Sequence, residues 1–441
     1  MAVWSTVAKS ATSTTFRLDA EFYRPEYLQF EKATASGDPM SNVVQRIIHP
    51  VEITRVYVDE GIRILMAQNI RPNRLEMAYA VYMPKAVQPV LAKNRLRPGD
   101  VVMTRSGANF GDTAPFFGES EDVYACADCL VIRPSNISAG YLATFLNTRI
   151  GRGLLDRGSY GGGQPHIAPT YLREIHIPRF GELETEVDAH VRSAHRKTND
   201  AAAIYAEAEA LLESALGLDK LDLTPRLFYE RPYADVQAAA RFDAEYYQPR
   251  MQNLRAGLSR DGLKIGDVAN LATRRFKPIP GVEFQYIEIA DVTRSGTADS
   301  NSVYGEEAPS RATWIVKHGD VITTTVRPIR RLSAIITDEQ DGYVCSSGFA
   351  VLTPQAIPPE LLLVYLRLPL VCELLDLHTR ASMYPAISIP DLMEIPIALP
   401  DDTTEQEIVA KHRESVDARR DARRLLDEAK AIVERAILGN E

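Results

Sequence analysis

Arg17-Leu18-Asp19-Ala20-Glu21-Phe22-Tyr23-Arg24-Pro25 opens the chain's first repeat, and Arg241-Phe242-Asp243-Ala244-Glu245-Tyr246-Tyr247-Gln248-Pro249 follows it at an offset of 224 residues. A second element, Leu96-Arg97-Pro98-Gly99-Asp100-Val101-Val102, returns as Val316-Lys317-His318-Gly319-Asp320-Val321-Ile322 at an offset of 220. Repeats of about 20 to 50 residues are typical of solenoids, whereas a repeat of half the chain indicates two copies of a whole domain. The copies differ where loops are expected, which predicts a shared scaffold with two different binding surfaces.

The composition of the 441-residue chain is that of a globular protein, with 45% hydrophobic and 25% charged residues. No apolar run approaches the roughly 18 residues that would span a bilayer, and the first residues do not resemble a secretion signal. The four cysteines are too few for a disulfide framework. We therefore expect a cytoplasmic protein without a membrane partner.

The net charge of −9 argues mildly against a nucleic-acid-binding protein, because phosphate contacts favour basic surfaces. The charge is uneven, however. Residues 45–180 hold 16 Lys and Arg against 12 Asp and Glu, whereas residues 262–400 hold 12 against 16. The second copy would therefore need a local cluster, such as Arg327, Arg330 and Arg331, to hold a phosphate backbone.

Each copy contains 130 to 140 residues rich in Val, Ile, Thr and Tyr and interrupted by Gly and Pro. Residues 62–66, 100–104 and 129–132 have the composition of short strands. Residues 140–147 and 361–368 have helical patterns. Strands and helices mixed in this way predict an α+β head in each copy.

Each copy closes with a long helix whose small or apolar residues alternate at spacings of four and three, the pattern of a coiled-coil seam. The main predicted seam positions are Val187, Val191, Tyr205, Leu212, Ile408, Lys411, Leu425 and Ile432. Neither stripe is stable alone in water, so each helix needs a partner. We expect the two helices to pack antiparallel, and the alternative is that each folds back on its own head.

The order of head, long helix, head and long helix resembles the specificity subunits of type I restriction-modification systems, over almost the full chain. The resemblance is carried by the openings at residues 19–23 and 243–247, by the Gly-Asp segment at residues 97–107, and by the closing segments at residues 166–178 and 386–400. No single motif is specific, but the order of all of them, found twice, is.

The resemblance implies two target-recognition domains, each reading one half of a split double-stranded DNA sequence. The long helices would set the spacing between the halves and dock two adenine methyltransferase subunits, and nuclease/translocase subunits would complete the enzyme. The implied boundaries are an N-terminal segment completing the conserved region (1–30), a first target-recognition domain (31–180), a first long spacer helix (181–217), a linker with the second opening motif (218–255), a second target-recognition domain (256–400) and a second long spacer helix (401–441). The fold would have an internal pseudo-twofold repeat, and the chain itself would be non-catalytic and need no cofactor.

Reading a base in an intact duplex requires hydrogen-bonding side chains in the major groove, with cations and backbone amides on the phosphates. In the first head the candidates lie at residues 105–109 and 157–166, and they are Arg105, Ser106, Asn109, Arg157, Ser159, Tyr160, Gln164 and His166. The four glycines of the second segment permit close approach to a backbone, although a mobile surface loop would have the same composition.

In the second head the candidates are Thr324, Arg327, Arg330, Arg331, Arg380, Ser382 and Tyr384. Threonines at a strand end are equally typical of strand formation, and the three arginines could form a solvated face. The second copy also departs from the family pattern, because Arg105-Ser106-Gly107 becomes Thr325-Val326-Arg327. The same loop need therefore not contact DNA in both heads.

The carboxylates of the opening motif suggest a catalytic pair, but a structural or subunit-docking role fits better. A strand-like segment would place Asp19 and Glu21 on one face, within reach of Arg17. In the second copy it would place Asp243 and Glu245 within reach of Arg241. The chain contains no adenine-methylation motif, dinucleotide fingerprint or phosphate-binding loop.

Cys126-Ala127-Asp128-Cys129 is a lone pair of cysteines without further ligands nearby, so we expect buried thiols and no metal. The alternative function is a coiled-coil adaptor of a phage-defence complex that does not read DNA sequence directly. An enzyme acting alone is a third possibility, without a visible catalytic constellation.

Overall fold

The computed structural model describes residues 5–10, 17–77, 80–118, 122–161, 163–293, 295–380 and 383–439. The chain divides into two compact units, the first formed by Met1–Asn199 with Arg419–Glu441 and the second by Asp200–Ala418. The division falls within both long helices, so each unit contains one head and a segment of each long helix.

The strands of the first unit are mostly short. They are β1 (Asp38–Pro39), β2 (Val44–Ile48), β3 (Ile62–Leu65), β4 (Ile70–Arg71), β5 (Arg74–Leu75), β6 (Val81–Met83), β7 (Asp100–Thr104), β8 (Thr113–Phe116), β9 (Val123–Ala125), β10 (Cys129–Pro134) and β11 (His176–Ile177). The main sheet is antiparallel with the order β2-β10-β7-β8, and a second sheet has the order β6-β3-β9. In the second sheet β3 and β9 run parallel.

The first head contains five helices, two of which begin at a hydroxyl residue that caps them. They are α1 (Pro25–Thr34), α2 (Met40–Val43), α3 (Ala139–Asn147), α4 (Arg149–Arg157) and α5 (Pro169–Leu172). The Ser138 hydroxyl accepts the backbone N–H of Tyr141 at the start of α3, and the Thr148 hydroxyl accepts that of Gly151 at the start of α4. Two consecutive caps explain why the chain makes two short helices here.

The second unit repeats this arrangement. Its strands are β12 (Leu263–Lys264), β13 (Ala269–Leu271), β14 (Glu283–Ile287), β15 (Asn301–Tyr304), β16 (Ala312–Ile315), β17 (Val321–Thr324), β18 (Ser333–Ile335), β19 (Val344–Ser346), β20 (Phe349–Pro354), β21 (Thr379–Arg380), β22 (Ala386–Ile387) and β23 (Pro396–Ile397). The main sheet β13-β20-β17-β18 has the topology of β2-β10-β7-β8, and the other large sheet is β15-β14-β19-β16. The α+β class and the internal repeat are therefore confirmed.

Both faces of each main sheet are covered, because alternate residues of a strand point to opposite sides. In the first unit Val101 and Leu130 belong to the core that includes α3, while Val102 and Val131 belong to the core of the second sheet. In the second unit, Val321 and Ile322 likewise belong to two different cores on opposite faces of the main sheet. The strongly apolar strands of the sequence thus lie in the middle of each head.

The Gly-Asp motif forms the turn that starts the central strand of each main sheet. Gly99 and Gly319 have φ angles of 89° and 80°, a left-handed conformation that glycine adopts without strain. The carboxylate of Asp100 accepts the backbone N–H of Arg97 at 2.8 Å, and that of Asp320 accepts the N–H of Lys317 at 2.8 Å. This motif is structural in both copies.

The long helices are α6 (Glu182–Ala215) and α14 (Asp402–Leu438), and between them lie α7 (Tyr233–Ala239), α8 (Ala244–Tyr247), α9 (Pro249–Leu258), α10 (Ile265–Val268), α11 (Pro359–Arg367), α12 (Pro369–Leu377) and α13 (Ile389–Met393). Within the first unit Lys197 pairs with Asp421 at 2.9 Å. Within the second unit Glu207 pairs with Lys411 at 2.7 Å. His190 lies 3.8 Å from Glu428 in the first unit, and the Ser415 hydroxyl donates to the carbonyl of Ala201 at 2.8 Å in the second. Within each unit residue numbers therefore rise on one helix as they fall on the other, which is the predicted antiparallel packing.

The seam of the long helices follows the predicted pattern more closely in α6 than in α14. Val187, Val191, Tyr205, Leu212 and Ile408 are buried, whereas Leu425 and Ile432 are half-buried. The buried positions of the two helices correspond at a constant offset of 221, pairing Val187, Val191, Ala194, Ala201, Ala208 and Leu212 with Ile408, His412, Ser415, Ala422, Ala429 and Val433. The predicted seam of α14 is therefore wrong by one residue at Lys411 and Ile432, because the following residues, His412 and Val433, are buried instead. Among the described residues, no helix combines the length and apolar character that crossing a bilayer requires.

Candidate nucleic-acid interface

The two candidate segments of the first head meet in the structure. Ser106, just after β7, forms an isolated β-bridge with His166. The second segment is closed by reciprocal backbone hydrogen bonds between Tyr160 and His166, at 2.9 and 2.8 Å. A Cβ placed on Gly107 would lie 3.9 Å from the side-chain nitrogen of Gln164. Residues 105–109, 157–161 and 163–166 therefore form one surface, and the segments 105–109 and 157–166 are here named the first loop pair.

The second head contains the same arrangement at an offset of 220. Val326 forms an isolated bridge with Ala386, and the N–H of Arg327 donates to the carbonyl of Pro385 at 2.8 Å. The N–H of Ile387 donates to Thr325 at 2.9 Å. Residues 325–331 and 378–387 are named the second loop pair. The departure at Thr325-Val326-Arg327 thus changes the side chains without moving the loop.

The backbone conformation is also shared at two positions of the loops. Gly107 and Gly111 have φ angles of 98° and 77°, and Arg327 and Arg331, at the equivalent positions, have φ angles of 51° and 61°. A left-handed backbone is unstrained for glycine but unfavourable for a residue with a Cβ. The second copy therefore holds two arginines in a conformation that its neighbours must stabilise.

Two buried polar atoms of the first loop pair have no hydrogen-bond partner among the described residues. They are Nε of Arg105 and Nδ1 of His166. Buried polar groups are normally satisfied, and each unpaired one is costly. Half-exposed Tyr160 lies beside them, its ring centroid 6.0 Å from that of His166. Ser106 is buried, while Asn109 is half-buried and Gln164 exposed. This cluster can hydrogen-bond to an incoming ligand.

Arg157 and Ser159 are placed differently from the rest of the first set. The buried Arg157 donates from Nε to the carbonyl of Phe22 at 3.0 Å, pairs with Glu31 at 2.6 Å and lies 4.1 Å from the Phe22 ring centroid. The Ser159 hydroxyl donates to the carbonyl of Asp156 at 2.7 Å. These contacts engage the Arg157 guanidinium with the opening motif and α1.

In the second loop pair, Arg327 is held across the surface by its neighbours. Its Nη2 donates to the carbonyl of Met383 at 2.9 Å, and its guanidinium lies 5.5 Å from the ring centroid of Tyr384. Tyr384 is 67% exposed, and Arg330 is exposed as well. Arg380 is also exposed and forms a 3.3 Å pair with Asp391. An aromatic ring and three arginines thus stand at this surface.

The remaining candidates of the second set have other roles or positions. Thr324 is buried and donates from Oγ1 to the carbonyl of Val326 at 3.0 Å, so it shapes the strand end. The guanidinium of Arg331 forms an ion pair with Glu209 of α6. Ser382 lies outside the described residues.

The opening motif forms a helical turn rather than the strand-like segment that the sequence suggested. The turns cover Ala20–Tyr23 and Ala244–Tyr247. Asp19 and Asp243 precede them, where backbone N–H groups at a helix start favour an acidic residue. The two carboxylates of each motif therefore do not share one face of a strand.

The predicted arginine partners of the motif are present. Arg17 pairs with Asp19 at 2.6 Å and Arg241 with Asp243 at 2.6 Å, and these hydrogen bonds lower the pKa of both aspartates. Arg241 also donates to the carbonyl of Leu377 at 2.8 Å. Arg17 donates to a different position of the first copy, the carbonyl of Ser159, at 3.4 Å. The motif thus supports the base of each loop pair.

The cysteine pair is buried, and its two sulfurs lie 3.7 Å apart as free thiols. Within the described part of the chain, no group of three or more His, Cys, Asp or Glu side chains is arranged to hold a metal ion.

Sequence reasoning did not single out Glu209, Arg367 or Asp391, all of which contact loop residues. Arg367 carried a usable signal, because it ends the apolar helical run at residues 361–366. A cation at the end of a buried helix must find partners. Glu209 carried no such signal, since it stands among several other acidic residues of α6.

The curated relative found for the chain is the type I restriction enzyme HindI specificity subunit of Haemophilus influenzae, 26% identical over 151 residues. The chain is similar to a type I specificity subunit. This confirms the resemblance stated from the sequence. The match spans 33% of the chain and 32% of the relative's length, so the chain covers about a third of the relative. No family model matches the chain.

Two solved structures of type I specificity subunits are also similar to the chain over most of its length. The S subunit of a type I restriction-modification system from M. genitalium covers 90% of the chain and is itself covered to 95%, with 8% identity and a TM-score of 0.42. The HsdS subunit from Thermoanaerobacter tengcongensis covers 92% and is covered to 96%, with 15% identity and a TM-score of 0.27.

Proposed function

We propose that the chain is the non-catalytic, DNA-recognition subunit of a type I restriction-modification complex. The supporting observation is the pair of equivalent loops in each unit, built on one scaffold at the same offset but carrying different side chains. A protein that reads two different half-targets requires this combination. The likeness to a curated specificity subunit agrees with it.

In this proposal each loop pair enters the major groove of one half of a split target. Arg105, Gln164 and His166 of the first pair, and Arg327 and Tyr384 of the second, are the side chains best placed to meet bases or phosphates. Bidentate contacts of arginine to guanine, and of glutamine to adenine, are the usual means of direct readout. The two sets of side chains differ, so the two half-targets differ.

The long helices would dock two adenine methyltransferase subunits, which supply the chemistry, and nuclease/translocase subunits would join them. Such a complex works on chromosomal DNA in the cytoplasm. The part to exchange is residues 45–180, which lie within the first target-recognition domain proposed for residues 31–180.

The test is a genome-wide map of methylated adenine in the host, with and without the gene. We expect a split motif that disappears with the gene. Replacing residues 45–180 by those of another specificity subunit should change one half of that motif only.

An unchanged map, together with an assembled methyltransferase complex that binds all duplexes equally, would contradict the proposal. In that case the net charge of −9 would favour the adaptor alternative, and capture of partner proteins from the host would be the next measurement.

A further inference from the structure

The second loop pair is tied to a long helix by a set of polar contacts around Arg331. The Arg331 guanidinium pairs with Glu209 of α6, with 30% and 17% of the two side chains exposed. The Arg331 carbonyl accepts a hydrogen bond from Nη1 of Arg367 at 3.1 Å. The side chain and the backbone carbonyl of Arg331, whose backbone is left-handed, are therefore both held in place.

Arg367 connects the same loop to the same helix. Its side chain is only 1% exposed, and its Nε donates to the Tyr205 hydroxyl at 2.7 Å. The guanidinium also lies 5.1 Å from the Tyr205 ring centroid, and Nη1 lies 3.4 Å from the carbonyl of Ser333. A buried cation with this many acceptors is rigidly placed. Burial raises the pKa of Tyr205, so its hydroxyl stays neutral and able to accept this bond.

Tyr205 and Glu209 are four residues apart on α6 and therefore lie on one face of the helix. Through Arg367 and Arg331 respectively, both contact the end of the loop at residues 325–331. Arg327 and Arg330 lie within the same loop, so the helix face fixes the backbone from which they project.

All four members of this set differ in the first unit. Gly111 and Asn147 stand at the positions of Arg331 and Arg367, at the offset of 220. Leu426 and Lys430 stand at the positions of Tyr205 and Glu209, at the helix offset of 221. Asn147 makes hydrogen bonds to Asn73 and Thr113 within its own head, and Lys430 is exposed. Replacement of a whole set together indicates that its members act together.

We infer that Glu209, Tyr205, Arg367 and Arg331 form a clamp that positions the second loop pair on α6 and so sets base discrimination in the second half-target only. The inference rests on the proposed function. It makes Arg331 a positioning residue rather than a phosphate contact. It also accounts for an arginine in a left-handed conformation, since the ion pair and the Arg367 hydrogen bond hold it there.

The test uses the complete complex with its methyltransferase subunits and measures binding to duplexes with single base changes in either half-target. Glu209→Gln removes the ion pair with little change in shape. Arg331→Gly introduces the residue of the first copy, which accepts the left-handed backbone. Each variant should lower discrimination in the second half by about tenfold, as expected for coupled neighbours, and leave the first half unchanged. The double variant should lose no more than the more severe single variant.

Two control variants separate positioning from other effects. Glu207→Gln removes an ion pair on the same helix that contacts α14 instead of the loop, and it should leave both halves unchanged. Arg330→Ala should lower the salt dependence of binding by about one unit, as loss of one phosphate contact does. Arg331→Gly should leave the salt dependence unchanged.

The inference is overturned if Arg331→Gly lowers the salt dependence as Arg330→Ala does, or if Glu209→Gln leaves discrimination in the second half intact. It is also overturned if either variant affects both halves equally, which loss of folding would cause and a thermal unfolding curve would reveal. A wild-type complex without any sequence preference would instead refute the proposed function.

Discussion

The two loop pairs occupy equivalent places on equivalent sheets, yet they are stabilised by different chemistry. In the first unit, glycines at positions 107 and 111 adopt the left-handed backbone freely, and Asn147 holds the loop within the head. In the second unit, Arg327 and Arg331 adopt it under strain, with support from residues of the loop partner and α6. A duplicated scaffold can thus keep its backbone while exchanging the interactions that maintain it, which leaves the exposed side chains free to diverge.

The buried aspartate of the Gly-Asp turn belongs to the scaffold that both units share. Its replacement should have the largest effect. Asp100 is 1% exposed and pairs with Arg133 at 2.7 Å. Asp100→Ala leaves the guanidinium of Arg133, whose side chain is 12% exposed, without its partner, so we expect a loss of about 3 kcal/mol in the free energy of unfolding, measured by chemical denaturation. Asp320→Ala should lower the free energy of unfolding by a similar amount, although the partners of Asp320 are Arg274 and Thr353.

The control is Asp421→Ala, which removes a half-exposed pair with Lys197. Exposed pairs contribute little, so this variant should lose much less stability than Asp100→Ala. If Asp100→Ala lost no more than the control, the turn would not depend on its buried carboxylate, and the two scaffolds would be less alike than their topology indicates.

The divergent part of the comparison is tested at position 327. Arg327→Gly introduces the first copy's residue and relieves the left-handed strain, so the free energy of unfolding should stay the same or rise by up to about 1 kcal/mol. Discrimination in the second half-target should nevertheless fall by about tenfold, because a bidentate base contact contributes about 1–3 kcal/mol. Arg105→Ala should lower discrimination in the first half-target and leave discrimination in the second half-target unchanged.

Both outcomes come from competition binding of the assembled complex to duplexes altered in one half at a time. Loss in both halves from either variant would mean that the loop pairs do not act separately. Unchanged discrimination in both half-targets would mean that other residues of the heads read the bases.

The sequence predicted the parts of the molecule that depend on local pattern. The repeat and the apolar strands such as residues 100–104 follow from residue types and spacing. The meeting of residues 105–109 with 157–166 was not predicted, because it depends on long-range pairing between segments about 50 residues apart.

The burial of charged residues was the least predictable feature. Arg157 and Arg331 have the appearance of phosphate contacts in the sequence, yet Glu31 and Glu209 approach them from distant parts of the chain. The seam of α14 shifted for a different reason. The predicted seven-residue repeat of Ile408, Ser415, Ala422 and Ala429 is buried as expected. The error is in the intermediate position of the heptad, which lies four residues after the first, as Val191 does after Val187, and not three.

The last prediction concerns His378, at the base of the second loop pair, where the first copy has Gly158. Burial, with help from Arg255 and Arg241, lowers the pKa of His378 to about 4. The unfolded chain binds a proton near pH 6.5, so stability should fall as the pH drops from about 6.5 towards 4. His378→Gln should reduce this acid dependence, measured as the thermal unfolding midpoint between pH 7 and 4. His318→Gln, at a histidine with 60% of its side chain exposed, is the matched control and should leave the curve unchanged. Equal curves for wild type and His378→Gln would show that the ring is protonated without cost in the folded state, and that the base of the second loop pair is no more acid-sensitive than that of the first.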